Sequence, residues 1–136
     1  MALTVLDAGV LIAVLNGRDV HHIAARRALS SEVGAGQELV LPASVYAEIL
    51  VEPHQRGATA VRQVDAFVAA LPARVEAIDT MTAQTAARIR ARHRTLRLPD
   101  AFVIATAHVL DADHVLTTDR RWPRALGVAV RVVVVG

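Results

Sequence analysis

The chain contains no lysine and no cysteine, and its serines are confined to Ser30, Ser31 and Ser44. Each absence removes a class of chemistry. Without lysine there is no Schiff base and no P-loop of the usual kind. Without cysteine there is no thiol nucleophile, no disulfide and no thiolate metal site. None of the serines lies in a G-x-S-x-G elbow, and no G-x-G-x-x-G fingerprint occurs. Aromatics are 3% of a chain that is 54% hydrophobic, so the core must be built from Ala, Val, Leu and Ile. No uninterrupted apolar run is long enough to span a bilayer. The apolar stretch from Met1 to Leu15 is broken by Asp7 and has no basic residue before it, unlike a signal peptide. A cytoplasmic location without a membrane partner is expected. Carboxylate and histidine chemistry remain.

Every one of the 15 basic residues is arginine, against 13 acids, for a formal net charge of +2. The planar guanidinium fork suits phosphate, so the composition permits a nucleic-acid partner. The histidines, His21, His22, His54, His93, His108 and His114, show no metal-ligand spacing.

At 136 residues, a single domain over 1–136 is expected. Apolar runs at 2–6, 38–41, 74–78, 114–117 and 128–134 read as strands. Between them, helical patterns cover 8–16, the stretch from Asp19 to Val33, Ala43 to Gln55, 58–71, the stretch after Asp79 to Arg94, Leu98 to Leu110, and a short 120–126. Strands alternating with helices define the α/β class. A central parallel sheet of four to five strands with helices on both faces is expected.

Four carboxylates sit where these segments stop or start. Asp7 follows Val5-Leu6, Glu48 lies about two turns into the helix that begins after Pro42, Asp100 follows Leu98-Pro99, and Asp119 follows Leu116-Thr117-Thr118. In open α/β sheets the ligand site lies beyond the carboxyl ends of the strands, which is where Asp7 and Asp119 fall. Each acid also has a structural reading. Asp100 complements a helix dipole, Asp119 caps the short helix at 120–126, and Glu48 faces solvent. Asp7, embedded in Leu3-Thr4-Val5-Leu6-Asp7-Ala8-Gly9-Val10-Leu11-Ile12, has the weakest structural excuse. Four converging carboxylates without thiolates favour a hard cation, Mg²⁺ or Mn²⁺, and such a site suits phosphodiester hydrolysis. Thr117, two residues before Asp119, is placed to support a carboxylate.

The ordered set Val5-Leu6-Asp7-Ala8-Gly9, Ser44-Val45-Tyr46-Ala47-Glu48, Leu98-Pro99-Asp100-Ala101-Phe102 and Leu116-Thr117-Thr118-Asp119-Arg120-Arg121-Trp122 resembles PIN-domain ribonucleases, most closely VapC toxins of bacterial toxin–antitoxin pairs. The resemblance implies a PIN-like α/β/α sandwich and Mg²⁺- or Mn²⁺-dependent cleavage of RNA, with transfer or ribosomal RNA as substrate. It also implies a VapB-type antitoxin and a homodimer. Carried over, the acidic set is Asp7, Glu48, Asp100 and Asp119, with Asp7, Asp100 and Asp119 as metal ligands and Thr117 as a supporting hydroxyl. The alternatives are a non-toxin PIN nuclease in RNA processing and a catalytically silent PIN-fold binding domain. Two departures stand out. Many relatives place a hydroxyl or Asn just after the first Asp, where Ala8 and Gly9 stand here. Some carry another acid two residues after the last one, where Arg121 stands, and this favours one protein-held metal over two.

Arg90, Arg94 and Arg97 precede Asp100 at helical spacing and read as a phosphate track toward the acids. With few aromatics to stack on bases, RNA would be read by shape and backbone. Tyr46, Phe102 and Trp122 are expected in core packing.

Overall fold

The computed structural model describes residues 2–128 and 130–136. Met1 and Ala129, which belong to the expected apolar N-terminus and last strand, lie outside the described residues. The chain runs β1 (Leu3–Leu6), α1 (Ala8–Leu15), α2 (His22–Gly34), β2 (Glu38–Pro42), α3 (Ala43–Arg56), α4 (Ala58–Ala70), β3 (Ala73–Glu76), α5 (Thr80–Arg92), α6 (Leu98–Val109), β4 (His114–Thr117) and β5 (Arg131–Val134). The five strands form one sheet in the order β3-β2-β1-β4-β5, and every pairing is parallel. Parallel neighbours need crossover connections; helices supply those up to β4, while a helix-free segment joins β4 to β5, and the result is an α/β/α sandwich.

The sequence explains where the burial falls. All four residues of β1 are buried, as are Leu39, Val40 and Leu41 of β2 and Val115, Leu116 and Thr117 of β4. Central strands covered on both faces must be apolar throughout. The edge strands β3 and β5 are only partly buried and carry Arg74, Glu76 and Arg131. Helix starts follow local signals. Asp79 caps α5 by accepting from the Thr82 amide at 2.9 Å. Pro99 occupies the first turn of α6, where its missing N–H costs nothing. Gly57, at φ 122, separates α3 from α4.

β1 lies between β2 and β4, so the chain winds one way from β1 to β3 and then returns past β1 to β4. That reversal makes the carboxyl ends of β1 and β4 the topological switch point, where open α/β sheets bind ligands. Register aligns the two ends. Leu6 pairs with Leu116, and the Asp7 amide donates to the Leu116 carbonyl at 2.9 Å.

Four expectations need correction. Residues 120–126 form turns and bends, with no helix. Asp119 accepts the Arg121 amide as a helix cap would. However, Pro123 removes a backbone donor and disfavours helical backbone at Trp122, and Gly127 turns at φ 70. The last strand begins at Arg131, not at 128, and β3 ends at Glu76, not at 78. The helix carrying Arg90 ends at Arg92, with His93 as its C-cap, so Arg90, Arg94 and Arg97 do not share a helical face. Arg90 is in α5, Arg94 lies in the connecting turn and Arg97 caps α6.

Leu116 is 1% exposed and holds the strand that ends at Thr117. Leu116→Ala is expected to lower stability by about 2–5 kcal/mol through lost burial and a residual cavity, read by urea denaturation. A loss below about 1 kcal/mol would contradict this packing.

Candidate active site

Asp7 occupies the step from β1 into α1. It is the N-cap of α1, and its Oδ1 accepts from the Ala8 amide at 2.9 Å. Its Oδ2 accepts from the Thr117 hydroxyl at 2.7 Å. The same Thr117 oxygen accepts the Asp119 amide at 3.1 Å. One buried threonine at the end of β4 therefore ties together the two acids that follow the central strands. The support that Ala8 and Gly9 cannot give Asp7 comes from this neighbouring strand.

Gly9 has a physical reason of its own. A Cβ there would lie 2.4 Å from Thr118 Oγ1, so the Thr118 hydroxyl occupies the space of a residue-9 side chain. Sequence reasoning missed this pair. The two residues are far apart in the chain, and only the β1–β4 register brings them together.

The four acids act on one another. Burial is the main cause holding the Asp7 carboxyl above the usual aspartate range, and Asp100 and Asp119 push it further up. Hydrogen bonds from Thr117 and the Ala8 amide oppose the rise. Asp100, in the first turn of α6 and only 8% exposed, is likewise raised, first by burial, then by Asp119, with Arg97 opposing. Glu48 is exposed as a residue, but its carboxyl is partly desolvated and lies within the fields of Asp7 and Asp100, which raise its pKa against Arg97. Asp119 goes the other way, because the Arg121 guanidinium and amide bind its carboxylate.

Two guanidiniums stand among these acids. Arg97 approaches Asp100 at 3.6 Å and also acts on Glu48 and Asp119. Arg121 holds Asp119 with Nε at 3.1 Å from Oδ1 and Nη2 at 3.2 Å from Oδ2. Arg97 is thus the one member of the expected arginine track that reaches the cluster. Among the described residues, Arg90 and Arg94 form no ion pair with it. Trp122 is buried in the core, as expected, while Tyr46 and Phe102 pack at its margin.

Among the described residues, no three His, Asp or Glu side chains are drawn close enough to form a ready cation cage. The physical reason is visible at the metal set expected from sequence. Asp119 is turned to Arg121, Asp100 to Arg97, and Asp7 to Thr117. The donor chemistry nevertheless fits a hard divalent cation. The cluster offers carboxylate oxygens alone, without sulfur, and burial and mutual repulsion disfavour the charge on three of them.

The fold and site define a parallel α/β domain with an acidic cluster at the switch point of its sheet. A family model described as PIN domain matches residues 4–127, and the chain belongs to that family. Solved structures with the same fold include VapBC-1 from nontypeable Haemophilus influenzae, at 12% identity and TM-score 0.74, covering 97% of each chain. VapBC2 from Rickettsia felis, bound to a promoter DNA fragment, matches at 10% identity and TM-score 0.73, over 98% of this chain and 99% of that one. The Mycobacterium tuberculosis toxin VapC20, described as cleaving the sarcin-ricin loop, matches at 17% identity and TM-score 0.66, over 91% and 92%. No curated protein matches the chain in sequence.

The raised acids predict a pH dependence. Asp7, Glu48 and Asp100 have folded pKa values above their ordinary ones, so the folded state binds protons more tightly than the unfolded chain. Their contribution is fully present below the ordinary carboxylate range and is lost as pH rises through the folded values. Asp119 has the opposite sign. In EDTA, the melting temperature of the parent should therefore fall relative to that of Asp7→Asn as pH rises above about 4, and Asp7→Asn should have the higher melting temperature at pH 7. Thermal denaturation across pH checks this. A variant less stable than the parent at pH 7 would contradict it.

Proposed function

We propose that this PIN domain is a metal-dependent endoribonuclease, the toxin of a toxin–antitoxin pair, and that it cleaves RNA phosphodiester bonds. The reading is supported by the mutual electrostatic influence of Asp7, Glu48, Asp100 and Asp119 near the switch point, each from a different segment of the fold. Asp7, Asp100 and Asp119 are the residues to hold Mg²⁺ or Mn²⁺, with Glu48 beside them. When bound, such a cation neutralises phosphate charge and acidifies the attacking water.

The chain's own groups do the rest. Thr117 donates to Asp7 Oδ2 and so favours the ionised, oriented carboxylate that ligation needs. Glu48 is the member of the cluster most open to solvent, and its carboxylate takes up the proton released as water attacks. Arg97 faces the cluster from the N-cap of α6 and offsets the repulsion between Asp100 and the incoming phosphate. Arg90 and Arg94 lie earlier in the chain, on α5 and the turn after it, and serve the RNA backbone at a distance from the reacting bond.

Several structural relatives are toxin–antitoxin complexes, which supports a VapB-type antitoxin as partner. The relative described as cutting the sarcin-ricin loop supports structured ribosomal RNA as substrate, with transfer RNA in the same class. Among the described residues, no helix is long and apolar enough to cross a membrane. A cytoplasmic location follows from the substrate.

The test is cleavage of ribosomal and transfer RNA by purified protein with Mg²⁺ or Mn²⁺, with EDTA, and after Asp7→Ala or Asp100→Ala. Cleavage should require the cation and fall at least about a hundredfold in each variant, since each loss removes preorganised charge from the site. Cutting that persists in EDTA and in both variants would refute the metal mechanism. RNA binding with no cutting under any cation would identify a silent binding domain.

A further inference from the structure

Arg121 closes on Asp119 with three donors. Its backbone amide lies 2.8 Å from Oδ1, Nε lies 3.1 Å from Oδ1, and Nη2 lies 3.2 Å from Oδ2. Both oxygens of Asp119 are engaged, yet the Arg121 side chain remains 85% exposed. Beside this pair lies a cavity of about 360 Å³ lined by Arg97, Asp100, Asp119, Arg121 and Trp122. Arg97 is also largely exposed, at 73%, so two guanidiniums border one cavity next to the acidic cluster.

An ion pair with one partner in water is weak and opens readily. The guanidinium fork fits phosphate as well as it fits carboxylate. A cation and Arg121 want the same oxygens of Asp119, whereas a phosphate and Asp119 want the same fork of Arg121. Each ligand therefore removes the obstacle to the other. The geometry points to Arg121 as a positioning residue that exchanges Asp119 for an RNA phosphate in the cavity beside Arg97, freeing Asp119 for the divalent cation. This rests on the nuclease reading above and adds a coupling to it: RNA and cation bind cooperatively through Arg121. By linkage each raises the affinity for the other by the same factor.

The exchange is tested by binding alone, using Mn²⁺ counted by electron paramagnetic resonance and a non-cleavable 2′-O-methyl oligoribonucleotide followed by fluorescence anisotropy. In the parent protein the oligonucleotide should tighten Mn²⁺ binding about fivefold or more. Arg121→Ala should tighten Mn²⁺ binding about three- to tenfold without RNA. It should also weaken RNA binding, reduce its salt slope by about 0.7, and lower the coupling to the part that direct attraction between cation and phosphate supplies. Arg120→Ala is the control. It removes the same charge from the adjacent residue, whose guanidinium donates to the Gly136 carbonyl and not to Asp119, and it should leave Mn²⁺ affinity near that of the parent.

Equal tightening by both substitutions would mean that charge alone is at work and would overturn the exchange. Absence of coupling in the parent, or an Arg121→Ala protein that binds Mn²⁺ as the parent does, would overturn it too. If the parent binds no RNA, the nuclease reading fails and the exchange fails with it. If RNA and Mn²⁺ bind cooperatively but nothing is cut, the exchange stands and only the catalytic reading is lost.

Discussion

The hydroxyl of Thr117 reaches from the end of β4 to Asp7 at the end of β1, 2.7 Å away, while its oxygen receives the amide of Asp119. This contact depends on several features of the fold at once. The two strands must be neighbours, parallel and in the register that pairs Leu6 with Leu116. A slip of one residue would turn Thr117 to the other face of the sheet and leave a buried aspartate without its side-chain partner. The apolar strands thus serve the site by setting the register, and the helices serve it by covering both faces so that the register is specified.

Placing four carboxylates at one sheet edge is electrostatically costly. Burial raises Asp7 and Asp100, and their like-charged neighbours add to the effect. Two arginines give partial relief, one on Asp100 and one on Asp119, and both remain largely in solvent. That is an incomplete compensation of the sort that favours a cation ligand over a closed salt-bridge network. The local strain is supported by a core in which Val5, Leu6, Val40, Leu41, Val115 and Leu116 are almost wholly buried.

Much of the architecture is legible in the sequence because buried parallel strands have no polar face to blur them. The run Leu3-Thr4-Val5-Leu6 stops at Asp7 and the run His114-Val115-Leu116-Thr117 stops two residues before Asp119, and the structure puts both stops at the switch point. What stays hidden depends on register or on competition between local signals. Gly9 gives no hint of Thr118, since their contact exists only after β1 and β4 pair. Arg121 follows Asp119 by two residues, and nothing in that spacing says that both oxygens of the acid are taken. The cap-like aspartate at 119 argues for a helix that Pro123 forbids. The arginine spacing from 90 to 97 looks continuous, but the helix stops at Arg92 and Leu96 is buried in the turn, which breaks the shared face.

The central claim is that this edge of the sheet is built to hold a divalent cation, and anomalous diffraction from crystals soaked in Mn²⁺ and an RNA oligonucleotide tests it most directly. The expected result is an anomalous peak at metal–carboxylate bonding distance, about 2.1–2.3 Å, from Asp7 and Asp100, with Asp119 turned away from Arg121 toward the same peak. Peaks confined to the surface elsewhere, with Asp119 still in the grip of Arg121 at Mn²⁺ concentrations that support cleavage, would contradict it.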